Sequence, residues 1–287
     1  MGVPYPDLLE MASKGDDCSY TDRDVMLYAL GIGMGEDPLD EGELAFVNEG
    51  WLTERGPTLK VVPTFASTFG YFSRPPAIPV DRVKVVDAAR DILFHKPLPI
   101  AAKVTADSQY TGAWDKGDKG AIIQREQVMR DENGEKICTI RGMSFARGDG
   151  HFGGPKDGAP EPHPVPERAP DLTVDIDTRP GQALLFRLAG DRNPLHSDPE
   201  FGRKAGFEKP ILHGMCTYGI TCRAVLSTYA DWDPNAFRRH AAQFRSPVYP
   251  GETITVDMWK DGGTISFEAH VKARGVTVVK HGLTELG

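Results

Sequence analysis

The sequence is sparing with cysteine. Cys18, Cys138, Cys216 and Cys222 are the full set, no two form a Cys-x-x-Cys pair, and the closest two stand six positions apart on an apolar, helix-like stretch. That spacing excludes a disulfide framework or a zinc-ribbon site and predicts buried thiols in a reducing compartment. Long apolar runs are also missing, so no stretch approaches a membrane span. The opening "MGVPYPDLLEMASKGDD" has neither a basic n-region nor an apolar h-region. Pro6 stands where a myristoylation signal places Ser or Thr, and the closing "HGLTELG" is no peroxisomal address. A soluble, cytoplasmic protein with no membrane partner is expected. Positive charge is in deficit too: 33 Lys and Arg against 41 Asp and Glu leave a net charge of −8. That argues against a nucleic-acid partner and obliges any anionic small ligand to find a local basic pocket.

What is present suffices for a core without staples: 287 residues, 40% of them apolar, fit one large or two moderate domains. The sharpest change in composition is "GDGHFGGPKDGAPEPHPVPERAPDLTVDIDTRP", Gly148 to Pro180, whose seven prolines predict a stiff, extended connector. It divides the chain into an N-terminal unit, 1–150, a connector, 151–180, and a C-terminal unit, 181–287. The units resemble each other. "FHKPLPIAAKVTAD" from Phe94 aligns without a gap on "FRSPVYPGETITVD" from Phe244, and "PTFASTFGY" from Pro63 lies opposite "PILHGMCTYG" from Pro210. Two matches in one order at nearly one offset indicate a duplicated domain.

Within the second unit, Met215, Tyr218, Cys222, Val225 and Tyr229 recur at helical steps. "ETITVDMW", "TISFEAHV" and "VTVVKHGL" then alternate as strands around the turns "KDGG" and "ARG". An antiparallel sheet curled around a long apolar helix is expected, and the same again in the first unit, with "DKGDKG" and "DENGEK" as turns. Thr21 and Asp24 read as a capping box, with Gly31 as the helix stop.

Chemistry concentrates in "AGDRNPLHSD". Asn193 before Pro194 disfavours helix, and Asp191 and Asn193 can bind local amides, so a tight loop forms in which Asp191 and His196 can converge. Asp198 or Ser197 caps the next helix with Pro199 in its first turn. His196 just ahead of that positive helix end is expected to be held neutral, a workable acid/base partner for Asp191 near pH 7. Read locally, the same residues also serve as a plain turn. Downstream, His213-Gly214 precedes the long helix. The Gly214 amide suits either an oxyanion donor or close packing, and His213 reads as a structural histidine.

The stretch "LAGDRNPLHSDPEFGRKAGFEKPILHGMCTYG" resembles the hydratase 2 motif of MaoC-like (R)-specific enoyl-CoA hydratases: Gly-Asp-x-Asn-Pro-aliphatic-His, a short helix, then His-Gly before a long helix. The similarity continues through "YTDRDVMLYALGIG", "FVNEG", "VVPTFA", "HKPLP", "DKG", "HFGG" and "SPVYPGETITVDMWK". It is similar in this way to the two-repeat hydratase 2 domain of peroxisomal multifunctional enzyme type 2 and its free-standing bacterial relatives. The resemblance implies an α+β double hot-dog fold, with the catalytic loop in the C-terminal repeat alone and the N-terminal repeat shaping the acyl pocket. It implies hydration of a trans-2-enoyl-CoA in fatty-acyl or steroid side-chain metabolism. Asp191 and His196 would hold the water, Asn193 would orient them, and the Gly214 amide would receive the thioester oxygen. Arg192, Pro194 and Leu195 would line the substrate, no metal or further cofactor would be needed, and a homodimer would form.

Other positions carry over by the same resemblance. Lys116 of "WDKG" matches a CoA-contacting lysine, though a hairpin turn explains it equally. Phe244 matches a ligand-contacting aromatic, with a core role as the alternative, and Glu49 of "FVNEG" matches a glutamate that lines the pocket or binds a loop. Arg203, Lys204, Lys209, Arg238, Arg239 and Arg245 are candidates for a basic patch, each otherwise a solvated surface charge. One departure stands out. Where the family reads aliphatic-His-Gly-Glu-Gln, this chain has "KVVDAARD", placing Asp87 and Ala88 at the ligand-contacting pair. That invites a bulky, ring-bearing or branched acyl group. A thioesterase of the same fold and a non-catalytic acyl-CoA-binding subunit are the alternatives.

Overall fold

A ten-stranded antiparallel sheet spans the computed structural model, which describes residues 2–50 and 59–287. The first half runs β1 (Ala12–Tyr20), α1 (Asp22–Gly31), α2 (Glu41–Val47), a 3-10 segment (Pro63–Tyr71), then β2 (Val85–Phe94), β3 (Ala102–Asp115), β4 (Ala121–Arg130) and β5 (Lys136–Ala146). The second runs β6 (Leu172–Asp177), α3 (Gln182–Phe186), α4 (Pro199–Lys204) and α5 (Gly214–Tyr229), then β7 (Phe237–Phe244), β8 (Thr253–Asp261), β9 (Thr264–Val271) and β10 (Val276–Leu286). The strand order, β1-β3-β4-β5-β2-β7-β10-β9-β8-β6, reads as one pattern and its mirror. The repeats meet at its centre, where Ala89–Leu93 of β2 pair with Gln243–Arg239 of β7. Phe94 and Phe244 end the two central strands, as the alignment requires. The α+β double hot-dog expectation therefore holds, with the two curved sheets fused edge to edge.

Helix α5 forms where the apolar spacing places it. Met215, Tyr218, Cys222 and Val225 are buried, and all four cysteines are free and buried. Burial of each such side chain contributes about 1.5–3 kcal/mol. Gly219 lets α1 cross closely, because a Cβ there would lie 2.5 Å from Ile32. The Thr21/Asp24 capping box starts α1, which ends at Gly31.

Two expectations need correction. The first unit's counterpart to α5 is no long helix but the 3-10 segment Pro63–Tyr71, buried from Pro63 through Gly70. Its run of Pro, Thr, Ser and Gly gives weak helix propensity, and packing against α5 holds it instead. The connector is also shorter than 151–180: β6 lies inside it, pairs with β8 and belongs to the second half.

His240 sits at the sheet centre, fully buried between the Thr284 and Thr221 hydroxyls and stacked on Phe267. Burial holds its pKa down to about 3. A histidine buried neutral is protonated first in the unfolded chain, so its stabilising effect is intact above about pH 6.5 and falls as pH drops toward 3. Urea unfolding should show a loss of about 1.4 kcal/mol per pH unit from this residue below about pH 6.5 and down to pH 4. His240→Gln should flatten the slope by that amount, and an unchanged slope would refute the assignment.

Candidate active site

The loop between α3 and α5 carries the site. Gly190 has φ 132°, and a Cβ there would lie 3.1 Å from the Tyr71 ring, so glycine is needed both for the turn and for the approach of the 3-10 segment. Asp191 follows. One carboxylate oxygen accepts the Asn193 amide at 3.1 Å and the other accepts the Tyr71 hydroxyl at 3.0 Å. The Asn193 side chain accepts the Leu195 amide at 3.0 Å, closing a 3-10 turn over Pro194–His196. Asp198 then caps α4, with Pro199 at its first position. Both local turn bonds anticipated for Asp191 and Asn193 form, and they point His196 inward.

His196 is buried, and its Nδ1 lies 2.9 Å from the Ile211 carbonyl. Nδ1–H must donate there, which leaves Nε2 with its lone pair. Its pKa is lowered, chiefly by burial, against the opposing pull of the Ile211 carbonyl, Asp191 and Asp87. The ring is neutral as expected, but burial does the work assigned to the helix end.

His213 lies against both Asp191 and His196. Its ring stacks on His196 at 3.7 Å and 27°, and its Nε2 lies 3.2 Å from the Asp191 carbonyl oxygen. Nδ1 has no partner. Burial, reinforced by His196, drives its pKa down to about 3. An Asp191 oxygen and one nitrogen of each ring fall within 4.8 Å of one another, a set able to hold a cation although the residues lack metal-ligand spacing in sequence. Gly214 opens α5 beside them. Among the described residues its N–H has no hydrogen-bond partner, and a Cβ there would touch the Phe244 ring at 3.7 Å. The structure thus brings together Asp191, His196, Gly214 and Phe244, with Asn193, Pro194 and Leu195 forming the turn and Arg192 exposed on it.

Other candidates lie further out. Asp87 is the third residue of β2, at a bulge around Ala88. It is exposed, 3.7 Å from Arg90, and its charge reaches both Tyr71 and His196. Lys116 sits in the β3–β4 turn and donates to the Lys156 carbonyl, tying down the connector. Glu49 follows α2, which is anchored on the C-terminal half of α5 by the Glu43–Arg223 ion pair. Five of the six basic-patch candidates have local partners. Arg239 forms two bonds with Asp91, Lys204 pairs with Glu200, Lys209 lies over the Tyr249 ring, Arg238 caps the Asn235 carbonyl and Arg245 meets Gln243.

Tyr71 is the site residue that sequence reading missed. The signal lay in the repeat alignment, which sets its segment opposite the helix opening at Gly214. Tyr71→Phe removes a donor to Asp191 while keeping the ring against Gly190. We expect kcat to fall on the order of 10-fold through this one hydrogen bond, with thermal unfolding little changed. An unaltered rate and pH profile would remove Tyr71 from the site.

Family models match both halves: residues 18–148 fit the MFE-2 hydratase 2 N-terminal domain and residues 162–281 the MaoC like domain. Enoyl-CoA hydratase ChsH3 of Mycobacterium tuberculosis is 42% identical over 92% of each chain. The peroxisomal enoyl-CoA hydratase 2 of Arabidopsis thaliana is 37% identical over 91% of this chain and 88% of its own. Among solved structures, a MaoC-like dehydratase from Phytophthora capsici superposes with a TM-score of 0.88 at 28% identity over 99% of both chains. Full-length peroxisomal multifunctional enzyme type 2 from Drosophila melanogaster gives 0.83 at 31% identity, over 96% of this chain and 48% of that one. The fold and site define a MaoC-like hydro-lyase. The chain belongs to the hydratase 2 family in its two-repeat form.

Proposed function

We propose that this chain adds water to trans-2-enoyl-CoA, giving (3R)-3-hydroxyacyl-CoA, and catalyses the reverse. The observation that carries the reading is the grouping of the Asp191 carboxylate with the His196 ring, whose Nε2 is free, and with His213, next to which the unpaired Gly214 N–H opens α5. A water held between Asp191 and His196 gives a proton to Nε2 as its oxygen bonds C3. Electrons move onto the thioester oxygen, which the Gly214 N–H receives. The imidazolium then returns the proton to C2 on the same face, so that water is added and nothing is left over. Asp191 orients the water and faces the transient positive charge, while Asn193 and Tyr71 hold Asp191 and its loop in place. No metal or further cofactor takes part in this reading.

The bulge at Ala88 and the charge of Asp87 support a pocket that accepts bulky or ring-bearing acyl groups, with crotonyl-CoA turned over more slowly. A homodimer acting on fatty-acyl or steroid side-chain intermediates, in the cytoplasm and without nucleic-acid or membrane partners, completes the proposal. Among the described residues no helix is long and apolar enough to cross a membrane. The deciding assay follows enoyl-CoA absorbance and thiol release together, with chiral analysis of the product. Loss of absorbance without thiol, yielding the (3R) alcohol, is expected. Thiol release would indicate a thioesterase, and tight binding without change a carrier subunit.

A further inference from the structure

On the inner face of the first repeat, Arg125 of β4 and Arg90 of β2 flank Gly142 of β5, each in direct register with it. Residues in register across neighbouring strands share a face, so both guanidinium groups lie on the side covered by the 3-10 segment. Gly142 makes the room: a Cβ there would lie 2.8 Å from Arg90 Nη1. Gly70 roofs the space, and a Cβ on it would stand 3.5 Å from Arg125 Nη2, 3.8 Å from Arg90 Nη1 and 3.9 Å from Gln127 Oε1. Arg74 closes one side, bonded to the Gly70 carbonyl and lying over the Tyr71 ring.

These cations are poorly neutralised. Arg90 is 6% exposed and its Nε has no partner. Its acid, Asp87, stands 3.7 Å away with a half-exposed side chain. Among the described residues the Arg125 guanidinium is half-buried and makes no side-chain hydrogen bond or ion pair. Burial, with Arg90 and Arg74 beside it, pulls its pKa down to about 10. Arg90 is the buried charge of the two, with Arg125 half-buried beside it, and a buried charge whose acid is a half-exposed carboxylate is costly unless something supplies a closer partner. The residue after Gly70 is Tyr71, whose hydroxyl holds Asp191, so this cradle adjoins the catalytic loop.

We propose that Arg90 and Arg125 form a recognition site for a carboxylate carried by the acyl group of the substrate, making the preferred substrate an acidic acyl-CoA. The proposal rests on the hydratase reading and names its substrate class. The phosphates of CoA are the other anionic source. They lie beyond the whole pantetheine arm from the thioester, whereas the cradle is separated from Asp191 by one tyrosine.

The test compares trans-2-enoyl-CoA thioesters of four to eight carbons ending in carboxylate or in methyl, each also as the 3′-dephospho-CoA form. Wild type, Arg90→Gln and Arg125→Gln are assayed with all of them. Wild type should favour the carboxylate series on the order of 10- to 100-fold in kcat/KM, the worth of a charge-assisted hydrogen bond, and either variant should erase the preference. Calorimetric titration with the saturated acyl-CoA pairs should show the same discrimination in affinity without turnover. No carboxylate preference in wild type, a preference that survives in both variants, or variant losses that follow the 3′-phosphate would each overturn the proposal. A wild type that binds selectively yet hydrates nothing would instead overturn the hydratase reading and leave the recognition site standing.

Discussion

Asp191→Asn is expected to lower kcat for enoyl hydration roughly 10³-fold, within the range seen for a positioned acid/base group. The substitution keeps the shape of the side chain but cannot keep both of its bonds. Asp191 accepts from the Asn193 amide through one oxygen and from the Tyr71 hydroxyl through the other. A carboxamide offers one oxygen, and its NH₂ would face one of these donors. The negative charge opposite the His196 imidazolium disappears as well. Asp191 is half-buried on an otherwise exposed turn, so unfolding temperature should shift little while KM for the thioester stays near its original value. Wild-type turnover by this variant would remove Asp191 from the chemistry.

His196→Ala should cost as much or more, on the order of 10³-fold in kcat, because its Nδ1 donates to the Ile211 carbonyl and leaves Nε2 with a lone pair in the cluster with Asp191. It should also destabilise the fold by about 1–3 kcal/mol, since the lost ring leaves space against His213 and the Ile211 carbonyl unpaired. His196→Gln separates the effects: its amide can still donate to Ile211, so stability should recover while activity does not. The pH profile gives a further check. A general base must be neutral, and burial lowers the pKa of His196 below its ordinary 6.5. The acid limb of kcat/KM should therefore fall below pH 6.5, and neither variant should show it. An acid limb at or above pH 6.5 in wild type would point to a different base.

The sequence was most legible where structure is local. The Thr21/Asp24 capping box, the Asp198 cap, the turn bonds of Asp191 and Asn193, and the apolar face of α5 each depend on residues within a few positions of one another. The duplication was legible too, because Phe94 and Phe244 mark equivalent strand ends. What escaped depends on distance along the chain. Tyr71 meets Asp191 across 120 positions, and His213 meets the Asp191 carbonyl across 22. Nothing in either local context announces the contact. Pro63–Tyr71 misled in the opposite sense: its alignment with α5 implied a helix, while its own Pro, Thr, Ser and Gly residues resist one. For the basic-patch candidates, counting arginines and lysines leaves their partners unseen. Arg239 and Lys204 are already paired, while Arg90 and Arg125 reach the interior through strand alternation.

The pairing of β2 with β7 gives the chain the character of a tethered dimer. Two half-molecules joined across this seam would need to find each other in solution, and the connector supplies that encounter at high effective concentration. Cutting the connector should therefore weaken association without abolishing it. A C-terminal half made alone would present β7 as a bare edge, and a second copy of itself is the nearest match for it. Such a self-pair would carry two copies of the Asp191 loop but no Tyr71 to hold either one, so assembly would return before activity does.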